Sequence, residues 1–149
     1  METFIWSLRV RATGRGMATA YVRQHQVEIG VPIQFDEQYS RVTALEHLLA
    51  AVGADLVNGF QIAARRHRVS VDQIEALVSG QLDNALTYLG VVGEAGRPDL
   101  KRLSVRLYVG SDAETERVHE VWQETLARSP LVGPIARALN LELRLEVIV

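Results

Sequence analysis

The sequence predicts an α+β fold, and three observations carry that reading. Patterned segments run in the order short strands, one long helix, two strands, a helix and a last strand, with no internal repeat. At 149 residues with 48% apolar and 23% charged side chains, the chain has the size and composition of one domain, residues 1–149, with a core of its own. The long helical segment is apolar around most of its circumference. One chain of this size could hardly cover it with sheet on every side, so a second copy is expected.

Phe4, Trp6, Leu8 and Val10 alternate with Ile5, Ser7, Arg9 and Arg11, the period of a half-buried strand. Ala12-Thr-Gly-Arg-Gly16 reads as a turn, because its glycines tolerate positive φ. Met17 to Arg23 and Gln26 to Ile29 supply one or two further strands, giving a small antiparallel meander.

Thr43 to His67 is the longest helical segment, on the order of 36 Å if continuous at ~1.5 Å per residue. Thr43-Ala-Leu-Glu46 fits a capping box. Leu45, Leu49, Val52, Leu56, Phe60 and Ala63 share one face, and His47, Asn58, Gln61 and Arg65 form a narrow opposite stripe. Asp55 falls on the boundary. The segment ends in Arg65-Arg-His-Arg68, cations where the helix dipole favours them.

Val71 to Leu82 reads as a strand, with Ile74, Ala76 and Val78 on one face. Asp83 to Leu100, with Gly90, Gly93, Gly96 and Pro98, is irregular and reads as a long hairpin connection. Leu103, Val105, Leu107 and Val109 alternate cleanly with polar neighbours. Ser111-Asp-Ala-Glu114 fits a second capping box, opening a helix to about Arg128 with Val118, Val121, Trp122 and Leu126 inward. Ser129-Pro130 starts a short helix through Leu139, and Leu141 to Val149 forms the terminal strand.

Composition narrows the function classes. With 16 basic and 18 acidic residues spread along the chain, net charge is −2, and no basic stripe points to nucleic acid. The absence of cysteine removes disulfides, thiolate metal sites and thiol catalysis together. His25, His47, His67 and His119 are dispersed without metal-ligand spacing, so neither metal nor cofactor is expected. METFIWSLRV lacks the features of a signal peptide, and no apolar run of about 18 residues is free of charges. The expectation is a cytoplasmic protein that does not enter the membrane.

Against this background, Ala44-Leu-Glu-His-Leu-Leu-Ala-Ala-Val-Gly-Ala-Asp55 resembles the opening of the central helix in the OsmC/Ohr family of osmotically induced and organic-hydroperoxide-resistance proteins. That family pattern is Pro-x-Glu-Leu-Leu-Leu-Ala-Ala-Leu-Gly-x-Cys. Glu46, Leu48, Leu49, Ala50, Ala51 and Gly53 match it, Val52 is a conservative change, and Ala44 replaces the proline. The likeness continues through Ser111-Asp-Ala113 to Ser129-Pro-Leu131, where the family commonly has Cys-Pro-Val. The resemblance implies antiparallel sheets wrapped around a long central helix in an intertwined homodimer, with sites at the subunit interface. It also implies a peroxidatic cysteine at position 55 and a resolving one at 129, assisted by an arginine and a glutamate.

Here those positions hold Asp55 and Ser129. Thiol peroxidase chemistry runs from thiolate through sulfenic acid to disulfide, a path closed to a carboxylate and a hydroxyl. The expectation is therefore a homodimer without peroxidase activity, keeping an interfacial pocket for a small apolar or amphipathic molecule.

The candidate site residues each have a second role open to them. Asp55 either acts as a general base or ligand for a cationic group, or pairs with an arginine across the dimer interface. Arg15, in the region from which the family's arginine comes, either reaches the site or is an exposed hairpin residue, and Arg11 competes for the same place. Glu46 matches the family's glutamate but also completes the capping box. Ser129 before Pro130 is also an ordinary helix start. His47 is an acid–base candidate beside Glu46 or a rim residue. A non-redox enzyme with Asp55 as base and Arg15 orienting substrate, and a purely structural or regulatory dimer, are the alternatives.

Overall fold

The computed structural model describes residues 1–149. The chain divides into two compact units, Met1–Leu48 and Leu49–Val149. A helix, α1 (Ala44–Arg66), begins in the first and continues through the second.

The first unit holds an antiparallel meander of β1 (Arg9–Gly14), β2 (Met17–Val22) and β3 (His25–Ile29), in that order across the sheet. The alternation beginning at Phe4 does not produce a strand there. β1 starts at Arg9 opposite Tyr21, and β2 ends one residue later at Val22, where the chain turns through Arg23 at a φ of 55°. Residues before Arg9 therefore have no strand to pair with, and Phe4, Ile5, Trp6 and Leu8 are exposed. The reverse turn is confined to Arg15 and Gly16, whose φ of 62° only glycine adopts cheaply. The capping box at the start of α1 is formed. The Thr43 amide donates to Glu46 Oε1 at 3.0 Å, and the Glu46 amide donates to Thr43 Oγ1 at 3.1 Å.

The second unit is a helix-on-sheet layer. β4 (Gln73–Leu82), β5 (Leu100–Gly110) and β6 (Asn140–Ile148) form its sheet with β5 central. β4 and β5 are antiparallel, but β6 lies parallel to β5, so this sheet is mixed rather than wholly antiparallel. The reason is the connection. A parallel neighbour needs a crossover, and α2 (Thr115–Arg128) with α3 (Val132–Ala138) provides it. The irregular 83–100 connection contains one 3₁₀ turn, Ala85–Leu89.

The core lies where the α1 face met in the sequence packs on this sheet. Val52, Leu56, Phe60 and Ala63 of α1 are buried with Leu103, Val105, Leu107 and Val109 of β5 and Val118, Val121 and Trp122 of α2. By length and composition α1 could cross a membrane, its most apolar window averaging a hydropathy of 1.2. The expectation concerned charge-free runs, and Asp55 lies inside every 18-residue window of α1, so no charge-free span of that length is present. The buried seam of α1 on the sheet takes up one third of its most apolar window, 33%, while Leu48 and Ile62 stay exposed.

The second expected capping box does not form. The Ser111 hydroxyl donates to the Ser70 carbonyl at 2.6 Å and accepts from the Ala113 amide at 3.1 Å, stapling the end of β5 to the loop before β4. The helix starts later, at Thr115, with no side-chain cap. A serine between a strand end and a helix had two sets of backbone groups within reach, and the Ser70 carbonyl took it.

Candidate functional site

α1 and α2 approach closely at Gly59, where an added Cβ would lie 3.4 Å from Thr125 Cγ2. Beside this crossing they leave an open cavity of about 510 Å³, lined by α1 residues from Ala54 to Arg66 and by Glu124 to Pro130. That volume falls within the usual range of small-molecule sites, ~300–1,000 Å³.

Asp55 and Ser129 stand on this wall, 74 residues apart in sequence and in direct contact. Ser129 Oγ donates to Asp55 Oδ2 at 2.5 Å. The same hydroxyl accepts from the Leu131 amide at 3.1 Å and the Val132 amide at 3.0 Å, closing the first turn of α3. A serine hydroxyl has one proton and two lone pairs. All three are used, so Ser129 has no lone pair left for nucleophilic attack. The hydroxyl thus serves the turn that leads into α3, which begins at Val132 and not at Pro130, and at the same time touches position 55.

Asp55 is half-buried and makes no ion pair within the chain. Its Oδ2 is held by Ser129, while Oδ1 accepts no hydrogen bond from the protein. A carboxylate fixed by one oxygen and open at the other can accept a proton, a hydrogen bond or a cationic group.

At the other end of the cavity, Glu124 collects three donors. Arg66 Nη1 and Arg128 Nε both reach its Oε1, at 3.2 and 2.7 Å, and His67 Nε2 lies 2.7 Å from Oε2. Partial desolvation opposes ionisation of this carboxyl. The hydrogen bonds from His67, Arg66 and Arg128 outweigh it and hold the group below the ordinary carboxylate value. Sequence reading missed this cluster. The Arg65-Arg-His-Arg68 run was explained by the helix dipole alone, and only the i,i+4 spacing of Glu124 and Arg128 hinted at more.

The other candidates lie in the first unit. Arg15 is exposed in the β1–β2 turn and Arg11 is exposed on β1. Glu46 is engaged in its capping box. The Thr43 amide, followed by the Thr43 hydroxyl, keeps its carboxyl below the ordinary value. His47 Nε2 donates to the Glu28 carbonyl at 3.1 Å, tying α1 to β3.

The comparisons with known proteins agree with this architecture. The OsmC family profile, described as OsmC-like protein, matches residues 35–144. The chain is similar in structure to an OsmC-like protein from Mycoplasma pneumoniae, at a TM-score of 0.80 and 12% identity, covering 99% of this chain and 100% of that one. It is also similar to the organic hydroperoxide resistance protein OhrB of Bacillus subtilis, at 0.60 and 18%, covering 96% and 98%. An OsmC-like protein from Vibrio cholerae matches at 0.69 and 13%, covering 98% and 100%. No curated protein matches in sequence. At these identities the structural likenesses establish the fold, while the profile spans most of the chain. The α+β architecture and the sequence match together make this chain a member of the OsmC-like family, one without any cysteine.

Proposed function

We propose that this protein is a soluble, cytoplasmic homodimer in which residues 1–149 act as one OsmC-like domain, and that it binds a small molecule instead of reducing hydroperoxides. The observation that carries this reading is the Asp55–Ser129 hydrogen bond on the wall of the α1/α2 cavity. By the family resemblance, position 55 is where a peroxidatic thiolate would stand and 129 where its resolving partner would. The contact between the two side chains fits that correspondence, while their chemistry removes the redox reaction. What stays is a shaped cavity with a fixed carboxylate.

The dimer is supported by what one chain leaves uncovered. Leu48 and Ile62 on α1 are 45% and 50% exposed, and Phe4, Ile5, Trp6 and Leu8 before β1, with Val10 on this edge strand, are exposed too. Monomers seldom expose so many large apolar groups in contiguous runs. A non-redox enzyme with Asp55 as general base is the second reading, favoured by the open Oδ1.

The test restores the thiols. Asp55→Cys with Ser129→Cys is assayed for reduction of an organic hydroperoxide, alongside the native protein. The native protein should be inactive and should elute at twice its 16.6 kDa chain mass. Peroxidase activity in the native protein, or a monomeric mass, would overturn the proposal.

A further inference from the structure

The α1/α2 cavity is electrically polarised, and this says which kind of small molecule it takes. At one end stands Asp55, its charge shared with a neutral hydroxyl only. At the other, two guanidiniums converge on a single oxygen of Glu124, so the two cations and one carboxylate leave an excess of positive charge there. Each guanidinium has five N–H donors and spends one on that contact, leaving four. Their side chains are 50% and 65% exposed, so the remaining donors are open to a ligand.

The floor between the two ends is mostly apolar, with Asn58, whose Oδ1 accepts from Gln61, the polar side chain beside it. Gly59, Ile62, Ala63 and Pro130 contribute carbon surface. Thr125 turns its hydroxyl back to the Val121 carbonyl at 2.8 Å and its methyl toward Gly59. Along α2, Glu124 and Ser129 are five steps apart, on the order of 7 Å at ~1.5 Å per residue. Along α1, Asp55 and Arg66 are eleven steps apart, on the order of 16 Å, less the reach of the arginine side chain.

We infer that the cavity takes an extended zwitterion: an ammonium group on Asp55, a carboxylate or similar anion on Arg66 and Arg128, and a short alkyl spacer across Gly59 and Ile62. This rests on the proposed binding function of the same cavity and makes it specific. An amine alone leaves the guanidinium donors unused, and a carboxylate alone leaves Asp55 Oδ1 unused. Charge-assisted hydrogen bonds at both ends favour the molecule that carries both groups at matching separation. A free small molecule is the occupant, since a cavity of about 510 Å³ holds such a chain with room for a few substituents.

The experiment follows amide NMR shifts of Asn58, Gly59, Ile62 and Thr125 in the full-length, isotope-labelled protein. The probes are 6-aminohexanoate, its isomer 2-aminohexanoate, hexylamine, hexanoate and 1-hexanol. The expected result is binding of 6-aminohexanoate at least tenfold tighter than any other probe. The isomer, with its charges side by side, should do no better than hexylamine. Asp55→Asn should reduce 6-aminohexanoate to the level of hexanoate, and Arg66→Gln with Arg128→Gln to that of hexylamine. If all probes shift the same amides with similar affinity, the zwitterion inference fails and the binding cavity stands. If no probe shifts them, both fail. The isomer comparison uses only native protein, so it decides even if a variant is unstable.

Discussion

The Asp55–Ser129 contact makes a quantitative prediction for a double-mutant cycle. Ser129→Ala removes three hydrogen bonds at once. Losing a serine that caps a helix costs ~1 kcal/mol. The bond to a carboxylate would add ~1.5–3 kcal/mol if fully buried. Asp55 is only half-buried and water can replace the hydroxyl, so about 1 kcal/mol is the better figure. Ser129→Ala should thus cost about 2 kcal/mol, lowering Tm by roughly 4–8 °C for a domain of this size. Asp55→Ala should cost about 1 kcal/mol. In the double variant the shared bond is lost only once, so the total should be about 2 kcal/mol rather than 3. Urea unfolding of all four proteins at one fixed concentration measures this, since assembly makes stability depend on concentration. Additivity of the two single effects within ~0.3–0.5 kcal/mol would refute the coupling and, with it, the placement of position 129 on position 55.

Two glycines of α1 should respond oppositely to alanine. At Gly53 a Cβ would sit 2.8 Å from Val78 Cγ2, so overpacking of ~1–3 kcal/mol outweighs the ~1 kcal/mol helix gain and the variant loses stability. At Gly59 the nearest atom is Thr125 Cγ2 at 3.4 Å, an ordinary contact, and Gly59→Ala should gain up to ~1 kcal/mol; equal shifts in urea midpoint would contradict the packing of α1 on β4. Acid should destabilise the protein through Glu46 and Glu124, whose folded-state carboxyls lie below the ordinary value of 4.5. Their contribution is complete above that value and is lost as pH falls through the lowered folded values, so Tm should hold from pH 7 to 5 and fall below about 4.5. Glu124→Gln should flatten part of that fall; an unchanged acid profile would exclude Glu124 as a contributor.

Much of the fold is written in local pattern. The Thr43/Glu46 capping box, the α1 seam of Val52, Leu56, Phe60 and Ala63, and the alternation of Leu103 to Val109 all form as the sequence predicts. Each depends on residues within a few turns or one strand, where periodicity and burial say the same thing. Where two local partners competed, pattern was insufficient. Phe4 to Leu8 alternates like a strand but has no neighbour once β2 ends, and Ser111 serves the Ser70 carbonyl instead of a helix start.

The site divides along the same line. The sequence by itself determined that thiol peroxidase chemistry is absent, because an oxidisable sulfur at positions 55 and 129 is a matter of residue identity. It also marked Asp55 as a carboxylate on an apolar helix that needed an explanation. Only the tertiary structure decided what that carboxylate meets. The hydrogen bond to Ser129 spans 74 residues, and the convergence of Arg66 and His67 on Glu124 spans more than 50. Such pairings depend on how α2 crosses α1 at Gly59, and no local periodicity encodes a crossing point. The parallel placement of β6 departs from the antiparallel sheets expected, for the same reason, since an alternating strand fits either direction until the crossover through α2 and α3 fixes it.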